Sequence, residues 1–226
     1  MQFTYYGHSC FLVEVNGKKL LFDPFITPNE LAKHIHINNI GADYILLSHG
    51  HSDHVTDAAA IARSTGATII ANFEVATWFS SRGIEKYQPM NTGGSWKFDF
   101  GTVKCVNAVH SSVMPDGSYG GNPMGFVIMS EEKNFYYSGD TALTLDMQLI
   151  PMFAKIDFSV LPIGDNFTMG AGDAAQAAKM VKCDRVIGVH YDTFGFIKID
   201  HDAVKDIFKS NGIELLLPEI GETINV

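Results

Sequence analysis

The sequence predicts a layered α and β fold in which helices cover the faces of β-sheets. Three observations carry that prediction. The chain opens with three short runs rich in aromatic and β-branched residues. Residues 44–48 (YILLS) form a short apolar run typical of a buried strand, and an Ala-rich stretch follows soon after. From residue 142 onward, helical and strand patterning alternate at short intervals.

The opening runs, residues 2–6, 10–15 and 19–22, read as strands. Asn16-Gly17 between the last two is a hairpin signal, because both residues tolerate positive φ. The Ala-rich stretch over 54–65 reads as a helix stopped by Gly66. A strand at 67–71 and a helix at 73–82 come next, then strands within 95–109 and 124–138. The rest alternates: helix 142–153, strand 157–162, helix 172–182, strand 185–189, helix 201–210, strand 213–217. Asp200 is placed to cap the last helix by accepting from its free N–H groups.

With 226 residues and 46% hydrophobic content, the chain can bury a substantial core, and a single domain over residues 1–226 is expected. The formal charge of −9 works against nucleic acid and acidic membranes, whose phosphates are bound by Lys and Arg. No run of about 18 apolar residues exists, so no membrane span is expected. The start, MQFTYYGHSC, lacks a signal-peptide pattern. Cys10, Cys105 and Cys183 are odd in number and widely spaced, which fits a reducing cytoplasm better than a disulfide framework. The aromatic content of 12% is compatible with a homo-oligomer, although it assigns no interface.

The chemistry concentrates in Ser48-His49-Gly50-His51-Ser52-Asp53-His54. Four potential metal ligands fall in six residues, between a strand and a helix. A tight loop there can aim several side chains at one point, and buried imidazoles and carboxylates are costly without partners. His110, Asp140 and His190 each follow an apolar run. If those strands share orientation, their ends gather five His and two Asp at one edge. A dinuclear site needs about this many ligands. Zinc is the first expectation, and manganese, iron or nickel suit the same donors.

The HxHxDH pattern at His49-x-His51-x-Asp53-His54 resembles the signature of the metallo-β-lactamase superfamily. His110, Asp140 and His190 fall in the order of its later ligands. Tyr6-Gly7-His8-Ser9 and Leu161-Pro162-Ile163-Gly164-Asp165-Asn166 are similar to a prokaryotic family of predicted metal-dependent hydrolases. More distant likenesses are to L-ascorbate-6-phosphate lactonases and N-acyl phosphatidylethanolamine phospholipase D. The resemblance implies a four-layer αββα sandwich with two divalent metal ions at one edge. His49, His51 and His110 would hold the first ion, Asp53, His54 and His190 the second, and Asp140 would bridge them. No Cys takes a ligand position, and the β-CASP insertion of RNA-processing relatives is missing.

The expected activity is hydrolysis of a small ester, lactone or phosphoester by a hydroxide shared between the metals. Asp53 could accept the nucleophile's proton while ligating. Asp23, after a strand and before Pro24, could fix the tautomer of a ligand imidazole. His8, Asp165 and Asn166 also follow strands and are candidates for substrate contact or proton transfer. The His34-x-His36 pair, His201 and the Gly-rich stretch 117–125 read as loop or surface features. A nucleic-acid phosphodiesterase would need a basic groove, and an iron redox or metal-binding protein could use the same fold.

Overall fold

Asn16 and Gly17 hold φ of 49° and 74°, and the turn they make joins two antiparallel strands. These are β2 (Cys10–Val15) and β3 (Lys18–Phe22). The computed structural model describes residues 1–226 and builds a first sheet around this hairpin. β1 (Gln2–Gly7) pairs antiparallel with β2. On the other side, β4 (Tyr44–Leu46), β5 (Thr68–Asn72) and β6 (Tyr87–Met90) run parallel to β3.

The second sheet begins with β7 (Ser95–Lys97), β8 (Thr102–Asn107), β9 (Met124–Met129) and β10 (Phe135–Tyr137), all antiparallel in sequence. It continues in parallel through β11 (Phe158–Pro162), β12 (Arg185–Val189) and β13 (Glu214–Leu216). The final strand, β14 (Thr223–Asn225), returns to the first sheet beside β1.

Three apolar clusters glue four layers. The inner faces of the two sheets meet through buried side chains such as Phe11, Phe22, Phe126 and Tyr137. Each fully buried side chain of this size contributes about 1.5–3 kcal/mol. Helices α1 (Ser52–Val55), α2 (Ala58–Thr65) and α3 (Phe73–Ser80) accompany the first sheet through a second cluster. Helices α4 (Ala171–Met180) and α5 (His201–Ser210) cover the second sheet through a third. This is the expected αββα sandwich. Asp200 caps α5, accepting from Asp202 and Ala203 N–H at 3.1 Å.

The pairing directions position the site. β1 and β3 are both antiparallel to β2, so they point the same way, with β4 and β5 parallel to β3. In the second sheet, β8 and β10 are both antiparallel to β9, and β11 and β12 follow β10. Each sheet therefore has one edge where several C-terminal strand ends gather.

The structure departs from the sequence reading in four places. The helix expected over 54–65 is two helices, α1 and α2, broken at Thr56-Asp57. Asp57 leaves the helical run because its carboxylate accepts the N–H groups of Ile26 and Thr27, at 2.6 and 2.8 Å. The helix expected over 142–153 is a 3-10 helix, Leu145–Met152, with Pro151 inside it. Pro151 has no N–H for an α-helical ladder. Strands β6 and β14 were not expected. They are short edge strands whose polar content hides the alternation. No helix is long and apolar enough to cross a membrane, and all three cysteines are free and buried.

Candidate metal centre

His49, His51, Asp53 and His54 lie on the turn from β4 into α1. His110 follows β8, Asp140 follows β10, and His190 directly follows β12. Backbone bonds tie these turns across the sheets. Met124 N–H donates to Ser48 O at 3.0 Å, and His190 N–H donates to His8 O at 2.8 Å. Gly139, with φ of 61°, allows the approach: a Cβ there would stand 2.9 Å from both Met124 O and Ser48 Cβ. His8, Asp23 and His190 also hold positive φ, at 55°, 40° and 57°. Each such residue costs about 1–2 kcal/mol. Surrounding contacts hold all three in place, a pattern common at functional sites.

Beside the buried set of Asp23, His49 and His54, the donor atoms form two groups. Ring nitrogens of His49, His51 and His110 lie within 4.8 Å of one another. Donors of His8, Asp53, His54 and His190 form a second group within the same limit. Asp140 stands between them. Its Oδ2 is 3.0 Å from His190 Nε2, 3.2 Å from His54 Nε2 and 3.7 Å from His110 Nε2.

The tautomers are set from behind. Asp23 is fully buried and accepts from Ser48 N–H (2.8 Å), Ser48 Oγ (2.5 Å), Tyr137 OH (2.6 Å) and His54 Nδ1 (2.8 Å). His54 therefore carries a proton on Nδ1, which leaves Nε2, 3.2 Å from Asp140 Oδ2, as the atom that would meet a metal. Ser48 Oγ, having donated to Asp23, accepts from His49 Nδ1 at 2.9 Å. That frees His49 Nε2, which lies 2.9 Å from His51 Nδ1. His51 Nε2 is 3.3 Å from Ser111 Oγ. Ligand imidazoles are held in this manner by partners on the far nitrogen.

The charge balance fits a cation. Asp23, Asp53 and Asp140 bring three carboxylates into a site whose imidazoles mostly resist protonation. Burial, reinforced by His54, lowers the His49 pKa well below the usual value. Burial also lowers His51 and His110. At His54 burial opposes the imidazolium, yet Asp140 and Asp23 outweigh it and raise its pKa. The Asp140 carboxyl meets the same burial, which His190 and His54 overcome, holding it well below the usual range. Buried His54 Nε2 and Asp140 Oδ1 have no hydrogen-bond partner. Neutral nitrogens, ionised carboxylates and orphaned donor atoms are the chemistry of a divalent-metal site.

His8 joins this cluster. Its Nε2 donates to Asp53 Oδ2 at 3.1 Å, and its Nδ1 lies 3.1 Å from Thr193 Oγ1. Burial and the neighbouring His190 lower its pKa to about 4, so it is neutral at physiological pH. His8 also lines a cavity of about 610 Å³, together with Tyr5, His34, Tyr191 and His201 among others. His201 is paired there with Asp192 at 2.7 Å.

Asp165 and Asn166 belong to none of the donor groups. They occupy a left-handed turn, φ 61° and 57°, at the end of β11. The Asp165 carboxylate accepts from Asn166 N–H at 2.8 Å and lines a separate cavity with Lys198 and Asp200. Their turn is tied to the residue after Asp140, since Met169 N–H donates to Thr141 O at 3.1 Å. The sequence reading also missed Ser48, Ser111, Tyr137 and Thr193 as supports. Ser48 abuts the motif and could have been found; Tyr137 reaches Asp23 only across the sandwich.

The model of the beta-lactamase superfamily domain matches residues 2–190. A UPF0173 metal-dependent hydrolase of Christiangramia forsetii is 55% identical over 100% of both chains. One from Flavobacterium johnsoniae is 52% identical, also over 100% of both. Among solved structures, Igni18, a metallo hydrolase from Ignicoccus hospitalis, superposes with a TM-score of 0.88 at 33% identity, covering 99% of this chain and 97% of that one. An isothiocyanate hydrolase from Delia radicum gut bacteria shares the fold, with a TM-score of 0.79 at 20% identity over 100% and 99% of the two chains. The chain belongs to the metallo-β-lactamase superfamily and, within it, to the UPF0173 metal-dependent hydrolases.

Proposed function

We propose that the protein is a dinuclear hydrolase of a small ester, lactone or phosphoester. His49, His51 and His110 would hold one divalent ion, and Asp53, His54 and His190 the other, with Asp140 available to both. The observation that carries this reading is Asp140 Oδ2, which lies within 3.7 Å of ring nitrogens from both groups. Zinc suits the donors best, with manganese, iron and nickel as alternatives. Two such ions supply an activated water and polarise the group under attack.

The chain's own residues do the rest. Asp23 and Ser48 hold the imidazoles of His54 and His49 in one tautomer. Asp53 is the carboxylate of the cluster that reaches solvent, with 26% of its side chain exposed. It is placed to take a proton released at the mouth, and His8 Nε2 holds its Oδ2 in position. The formal charge of −9 favours a small-molecule substrate over nucleic acid. Three reduced, buried cysteines suit a cytoplasmic enzyme.

Elemental analysis of protein purified without chelator, paired with a hydrolysis screen, tests this. About two ions per chain and turnover that disappears in Asp140→Asn are expected. Failure to retain any metal after loading would overturn the reading.

A further inference from the structure

A metal pair serves carboxylic and phosphoric esters alike, so the surroundings decide between them. Substrates carrying phosphate are held by Arg and Lys clamps, which neutralise their charge and fix their oxygens. Segments 7–9, 23–29, 47–57, 108–123, 138–145, 163–170 and 190–197 follow the strands that end at the cluster's edge. None of these segments contains a Lys or an Arg. Arg82, which touches the 108–123 segment, is engaged by Asp116 at 2.5 Å and stacked 3.6 Å over Trp78. Lys198 faces the separate cavity beside α4 and α5.

Exposed aromatic side chains stand there instead. The Phe194 ring is 5.3 Å from His8, whose own ring is 4.3 Å from His190. Phe196, two residues on, is 77% exposed, and its ring lies 6.2 Å from Phe167, which is 50% exposed. The turn bearing Phe167 is fastened beside Asp140, since Met169 N–H donates to Thr141 O at 3.1 Å. Exposed phenylalanines on two adjoining turns cost solvation, and such patches mark binding sites. Val109, next to His110, is likewise 50% exposed.

We infer that Phe194, Phe196 and Phe167 form the apolar subsite of this enzyme, and that its substrate is an uncharged carboxylic ester or lactone bearing an aryl or alkyl group. The inference rests on the hydrolase reading above and selects among its substrates. Water then adds across the acyl C–O bond. Its hydroxyl goes to the acyl carbon and its proton to the departing alkoxide oxygen, with no co-reactant needed.

The test compares phenyl acetate with phenyl phosphate on metal-loaded enzyme, beside Phe196→Ser and Phe167→Ser. Binding of N-benzylacetamide, an uncharged amide probe, is followed separately by saturation-transfer NMR on loaded and chelated protein. Phenyl acetate is expected to exceed phenyl phosphate in kcat/KM by about 100-fold or more. Each variant should raise KM by about tenfold with kcat and metal content little changed. The aryl protons of the probe should be saturated by wild type and much less by the variants.

Preference for phenyl phosphate, or variants with unchanged KM and unchanged saturation, would overturn the inference. A dimer that Phe196→Ser dissociates would assign the face to a second copy and overturn it as well. Saturation that the variants abolish, without turnover of any ester, would support the subsite and break the hydrolase reading instead.

Discussion

The two donor groups differ in how they are built. His49, His51 and His110 are three imidazoles with no carboxylate of their own, and His51 and His110 are only half-buried. Their far nitrogens rest on hydroxyls, Ser48 for His49 and Ser111 for His51. The group of Asp53, His54 and His190 carries a carboxylate, is more deeply buried, and is fixed from behind by the charge of Asp23. A cation in low dielectric is stabilised far more by ionised carboxylates than by neutral nitrogens alone. The comparison teaches that the second group should be the tighter site, with the first filled more weakly.

Asp140 is where the comparison breaks altogether, because both groups share it. Asp140→Asn removes the carboxylate lying between them, taking from His190 its paired anion and from His54 the one that faces its Nε2. Metal content should fall at both positions, and hydrolysis should drop by more than the roughly 10–100-fold typical of a supporting residue. Elemental analysis with steady-state kinetics checks this. Near-normal metal content would mean that Asp140 is not shared.

Asp23→Asn should rank next and should strike unevenly. An amide cannot match the charge that fixes His54 Nδ1, while Ser48 can still meet His49. A loss of about 10–100-fold in metal affinity is expected, concentrated in the tighter site. Competition with a chelator at graded concentrations would reveal it as the merging of two release steps into one. Two steps still separated as in wild type would show that the asymmetry does not come from Asp23.

His8→Gln keeps a donor but moves it, so Asp53 should lose its fixed orientation. About a tenfold fall in kcat, with the first group's metal retained, is the expected result. Equal loss of both metals would place His8 in general folding rather than in support of Asp53.

This asymmetry was only partly visible in the sequence. The gathering of His49, His51, Asp53, His54, His110, Asp140 and His190 at one place was legible because each stands at or just beyond a strand end. The sandwich was legible for a related reason, since buried strands write apolar runs. The roles of Asp165 and Asn166 were not legible, because a strand end fixes an edge, whereas the left-handed turn beyond it obeys local hydrogen bonds. The break in the 54–65 helix escaped notice because Asp57 is claimed by Ile26 and Thr27, which are distant in sequence. Tyr137 and Thr193 were invisible as supports, for each becomes one only when two sheets or two loops are brought together.

Ser111→Ala sharpens the comparison with the least disturbance. Ser111 Oγ meets His51 Nε2 at 3.3 Å, a long contact on the exposed side of the first group. Its removal frees His51 to rotate and lets water take the hydroxyl's place. A neutral hydrogen bond at a wet site contributes about 0.5–1.5 kcal/mol, so metal affinity should weaken by only about two- to tenfold. The loss should be confined to the weaker site, leaving the second release step in a chelator titration where it was. A shift of the tighter step instead would show that the two groups do not bind as separate sites but as one coupled unit held through Asp140.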